Sequence, residues 1–142
     1  MRTRTPLAAS CLAAAIAVVS AGFLTPAQAA GDVKGSWVTP NLVPEPSQGG
    51  ECKPLIPQAR ATKAFVIPGP GTFTMSLNNK LDWSADIRAG DDVLAKADGG
   101  LPQQAESVAY KFTKKTKIVM GACNLGGEPS VTVSYVFKPK KR

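Results

Sequence analysis

Three cysteines, Cys11, Cys52 and Cys123, and five aspartates packed between positions 82 and 98 are the side chains here with reactive or ligating chemistry, and no histidine accompanies them. That absence removes several mechanisms. Without an imidazole there is no Ser-His-Asp or Cys-His relay, no histidine general base and no histidine-containing zinc site. A carboxylate pair or a Ser-Lys dyad is left as an enzymatic route. Asp82 and Asp86, four residues apart on an extended strand, would stand about 13 Å apart, beyond the roughly 5–9.5 Å over which paired glycosidase carboxylates work. With Ser84 between them they read as a solvated strand face, so no catalytic residue is assigned. Asp91, Asp92 and Asp98 lie beside Gly90 and Gly99. As hard oxygen donors they are the candidate calcium ligands, although EF-hand spacing is missing. No other cofactor is expected.

The cysteines depend on the first 29 residues. Arg2 and Arg4, an apolar run from Leu12 to Val19, a break at Gly22 and Pro26, and Ala27-Gln28-Ala29 form a bacterial-type secretory signal with an A-x-A cleavage site. A spanning helix needs about 20 strongly apolar residues, and a lipidated Cys11 would need a longer apolar segment ahead of it. Cleavage removes Cys11. The two remaining cysteines permit one intramolecular bridge, Cys52–Cys123, in an oxidising compartment. The expected location is therefore secreted or periplasmic, with no transmembrane segment after cleavage.

Charge points to a partner only once it is located. The formal charge of +7 loses Arg2 and Arg4 with the signal, and four more positive charges, Lys138, Lys140, Lys141 and Arg142, close the chain. Between Ala30 and Phe137 eleven basic residues face ten acidic ones, so the body is nearly neutral. The tail 138–142 is expected to be disordered from its composition. A second basic run, Lys111, Lys114, Lys115 and Lys117, would discourage edge pairing if it decorates a hairpin. Beside the tail it would complete one cationic face of eight charges, the candidate site for an anionic ligand. Nucleic acid is not expected, since no aromatic residues interleave the tail for base stacking.

The elements that position these groups follow from alternation. Leu81, Trp83, Ala85 and Ile87 alternate with Asp82, Ser84 and Asp86, and Val131, Val133, Tyr135 and Phe137 alternate with Thr132 and Ser134, as half-buried strands do. Further strands are expected over 33–38, 62–67, 72–77, 92–97, 106–112 and 116–122, separated by Gly, Pro and Asn turns. Prolines 40, 44, 46, 54 and 57 forbid a helix from 39 to 59 and predict an extended arm across the surface, tied down through Cys52. About 113 residues after cleavage suit one domain. Residues 30–137 are thus expected to form a single all-β, antiparallel two-sheet sandwich, jelly-roll or immunoglobulin-like, with a small closed barrel as the alternative.

The stretch Leu81-Asp82-Trp83-Ser84-Ala85-Asp86, then Asp98-Gly99-Gly100, Glu106-Ser107-Val108-Ala109-Tyr110 and the strand from Val131 to Phe137 resemble bacterial pre-peptidase C-terminal domains. The resemblance covers roughly the last seventy residues. It implies a jelly-roll-like exported sandwich that binds or assists, and no activity. The proline arm, the bridge and the lack of a linked protease domain depart from that family's pattern. Residues and resemblance together lead to an exported, non-catalytic binding or accessory protein acting on an envelope or extracellular component, its partner a protein or an anionic polymer. The alternative is a secreted protease inhibitor presenting a disulfide-tethered loop near Cys52 or Cys123.

Overall fold

The computed structural model of this chain describes residues 31–45, 52–98 and 104–142, with Asp98 by its backbone alone. The expected signal, residues 1–29, lies outside the described residues. Among them are eight strands: β1 (Val33–Val38), β2 (Arg60–Ile67), β3 (Gly71–Leu77), β4 (Trp83–Ala89), β5 (Asp92–Asp98), β6 (Ser107–Phe112), β7 (Thr116–Asn124) and β8 (Thr132–Pro139). Antiparallel pairing joins β1 to β8, β2 to β7, β3 to β6 and β4 to β5. These four pairs form one long ribbon whose tip is the β4–β5 turn. There Ala89 pairs with Asp92, and Gly90 takes a φ of +59°, which glycine adopts without strain.

Pairing of β3 with β8 and of β4 with β7 folds the ribbon into sheets of order β1-β8-β3-β6 and β2-β7-β4-β5. This is the double Greek-key order of a jelly roll. Both sheets keep free edges, so the expected sandwich forms and the closed barrel does not. Phe73, Met75 and Leu77 of β3, Trp83, Ala85 and Ile87 of β4, Ile118, Met120 and Ala122 of β7, and Val133 and Phe137 of β8 fill the space between the sheets. Phe65, Phe73 and Tyr135 meet there with ring centroids 5.2–5.8 Å apart. Full burial of each large side chain contributes about 1.5–3 kcal/mol.

Two expectations need correction. The arm does not simply cross the surface: the N–H groups of Thr39, Leu42 and Glu45 donate to the carbonyls of Val131, Pro129 and Asn124, and Leu42 packs into the core. Prolines remove some donors, and those that remain still require partners. Nor does the chain leave the fold at position 138. Strand β8 runs through Pro139, Lys138 pairs with Thr72, and the N–H of Lys140 donates to the Pro70 carbonyl at 2.9 Å. Strand pairing overrides the polar composition of the tail.

Because successive strands alternate in direction, the β2–β3, β4–β5 and β6–β7 turns, the start of β1 and the end of β8 share one end of the sandwich. The β1–β2, β3–β4, β5–β6 and β7–β8 connections share the other. At this second end Asn124 accepts the N–H groups of Gly126 and Gly127 on its Oδ1 and donates from Nδ2 to the carbonyls of Leu42 and Glu128. One buried amide thus joins the arm to the β7–β8 loop.

Candidate functional site

The end where β1 starts and β8 ends also gathers the basic residues. Lys111 is next to last in β6, Lys114 and Lys115 lie in the β6–β7 turn, and Lys117 is second in β7. Lys138 lies in β8, with Lys140, Lys141 and Arg142 directly after it. All eight expected positions lie at this end, but not on one face: Lys117 points outward from the β2-β7-β4-β5 sheet, since Ile118 beside it is in the core, whereas Lys111 and Lys138 belong to the other sheet. Thr72 is the register partner of both Lys111 and Lys138, so the two lysines flank it on the outer face of one sheet, each roughly 5 Å away at the backbone. Together with Lys140 they line a groove of ≈ 530 Å³ floored by Thr72, Thr74 and Val136. No carboxylate lines it, and none of the eight side chains takes part in an ion pair among the described residues. A concave surface of one sign concentrates oppositely charged ligands.

Asp91 and Asp92 occupy the β4–β5 turn at this same end, outside the groove. Asp98 does not join them. It ends β5, six residues beyond Asp92, and an extended strand separates the two by about 20 Å. The three-aspartate calcium set is therefore not assembled: proximity in sequence becomes distance once the segment is a strand. No group of three His, Cys, Asp or Glu side chains is placed to hold a metal ion among the described residues.

The Cys52–Cys123 bridge is formed, with Cα atoms 5.4 Å apart and a sequence separation of 71. It fixes the arm over the outer face of the β2-β7-β4-β5 sheet and covers a cluster that the sequence did not reveal. Asp86 is 1 % exposed, not a solvated strand residue. Arg60 Nη2 donates to its Oδ1 at 2.8 Å, while Arg88 Nε and Arg60 Nη1 donate to its Oδ2 at 2.7 and 3.1 Å. Both guanidinium groups also donate to the Cys52 carbonyl. Gly121 of β7 makes room, since a Cβ there would sit 2.1 Å from Asp86 Oδ1 and 2.3 Å from Arg60 Nη2.

The arm's outermost part presents Leu55, 94 % exposed. Its N–H and that of Ile56 donate to the Glu45 carboxylate at 2.8 and 2.9 Å.

Fold and site define the class as a jelly-roll sandwich with a cationic groove at its terminal end and a stapled arm on one face. Models of known protein families give no match to the chain, and no curated protein matches it. Among the described residues no helix is long and apolar enough to cross a membrane.

Proposed function

We propose that this protein is an exported, non-catalytic binding module, working in the periplasm or outside the cell, that holds an anionic envelope or extracellular polymer in its cationic groove. One observation carries the reading: strand pairing sets Lys111 and Lys138 on either side of Thr72, with Lys140 beside them and no carboxylate among the groove residues. The resemblance to pre-peptidase C-terminal domains points the same way, toward a sandwich that binds. Replacing Lys111, Lys138 and Lys140 together by glutamine is expected to weaken binding to poly(glycerol phosphate) or an acidic polysaccharide at least about tenfold. These are surface changes, so stability should stay within about 0.5 kcal/mol of wild type. Wild-type protein that co-sediments with neither polymer at low ionic strength removes the reading.

A second reading, a secreted protease inhibitor, is favoured by Leu55, a nearly fully exposed apolar side chain on a segment held by a disulfide at Cys52 and by the Glu45 carboxylate. Such preorganisation lowers the entropy lost on binding. It stands second because the Leu55 and Ile56 N–H groups are taken up by the Glu45 carboxylate and are not available for strand addition to a protease cleft. Leu55→Asp should leave the unfolding midpoint unchanged and abolish any inhibition. A wild type that slows no serine, cysteine or metalloprotease at micromolar concentration eliminates this alternative.

A further inference from the structure

Among the described residues the cluster beneath the arm is not charge-balanced. Two guanidinium groups share the single carboxylate of Asp86, leaving one positive charge in excess at side chains only 17 % and 20 % exposed. Nor are their donors exhausted. Each guanidinium carries five N–H groups; Arg88 uses Nε and Nη2, and its Nη1 has no partner among the described residues. The Arg88 side chain keeps 20 % exposure and borders open space. That space is a concavity of ≈ 270 Å³ between the arm and β5, lined by Lys53 on one side, Val93 and Lys96 on the other, and Arg88 and Asp86 beneath.

We propose that this concavity binds a small oxyanion, a phosphate or carboxylate group, against the outward edge of Arg88. A planar guanidinium with two adjacent N–H groups matches two oxygens of either anion, and the rest of Arg88 is already fixed by Asp86 and the Cys52 carbonyl, so little side-chain freedom is lost on binding. Asp86 neutralises one guanidinium and orients both. The arm forms one wall of the site, which makes the Cys52–Cys123 bridge a requirement for binding. The site lies on the sheet opposite the one that carries the cationic groove and is independent of the polymer-binding reading.

NMR titration of the intact folded domain tests it. Inorganic phosphate and acetate are added in separate arms up to about 50 mM, enough to saturate a site with a Kd near 1 mM or tighter, with chloride holding the ionic strength constant. The Arg88 Nε–H and the amides of Val93 to Lys96 are expected to shift along one saturable curve in at least one arm. The arm that saturates identifies the oxyanion. Arg88→Gln should lose the curve while keeping the dispersed spectrum of a folded domain, because Arg60 retains its two bonds to Asp86. The Lys111, Lys138, Lys140 triple variant should keep the curve. Shifts that are linear, absent, or confined to the Lys111 and Lys138 region overturn the proposal, as does an Arg88→Gln variant that folds and still shows saturation.

Discussion

Asp86→Ala is expected to lower the free energy of unfolding by about 3–5 kcal/mol, the loss seen when one member of a buried ion pair is removed and its partner stays behind. Here two partners are left. Arg60 and Arg88 make their side-chain contacts with this carboxylate from positions only 17 % and 20 % exposed. Without it, two like charges share the Cys52 carbonyl, and no other carboxylate among the described residues is bonded to them. Total stabilities of such domains are about 5–15 kcal/mol, so the variant sits near the threshold of folding. With a urea m-value of roughly 1–2 kcal/mol/M, the midpoint should fall by about 1.5 M or more. A drop below about 0.5 M would mean that the arm and sheet hold together without the triad.

Removing the disulfide as Cys52→Ser with Cys123→Ser is expected to cost about 4 kcal/mol, the chain-entropy value for a loop of this length, given the 71-residue separation. Reduction of the wild type should reproduce it. The loss is not independent of the first prediction. The Cys52 carbonyl that receives both guanidinium groups is carried by the bridged residue itself, so freeing the arm also weakens the triad. Combining Asp86→Ala with the double serine variant should therefore destabilise by less than the sum of the two, since groups in one network are not additive. Strict additivity, measured by urea unfolding, would separate the staple from the ion cluster.

The sheets were legible because their signal is local. Alternation over two to eight residues places Phe73, Trp83, Val133 and Phe137 inward before any partner is known, and with Cys11 assigned to the expected signal the other two cysteines have one pairing. Strand ends shifted by at most two residues: β4 starts at Trp83 rather than Leu81, and β7 continues to Asn124. The triad was hidden because its parts are far apart in sequence. By the alternation rule Asp86 faces outward, and that much is correct. What covers it is a second layer, the arm, that no period in β4 encodes. A usable signal existed in Cys123, which shares the outward face of its sheet with Gly121. A bridge to Cys52 lays the arm over that face and buries its neighbours, and Arg60, directly opposite Cys123 in register, falls within reach of Asp86.

The cationic end was half legible. The two lysine-rich runs were visible, and their meeting depended on a pairing across more than twenty residues, with β3 placed between β6 and β8. Thr72 gave no sign of its place between two lysines. The aspartate cluster erred in the opposite direction: five acidic residues close in sequence suggested a site, and β4 and β5 spread them over two strands and a turn.

The measurement that bears most directly on the binding proposal is the affinity of the wild-type protein for poly(glycerol phosphate) across a salt series. At about 0.01 M salt the Debye length is near 30 Å, and at 1 M near 3 Å, so all eight charges of the terminal end act together in the first case and scarcely at all in the second. The expected result is tight binding at low salt that falls steadily with ionic strength, with a shallower slope for the Lys111, Lys138, Lys140 triple variant. Absence of binding at about 0.01 M, or an affinity that salt does not change, would contradict a function built on this groove.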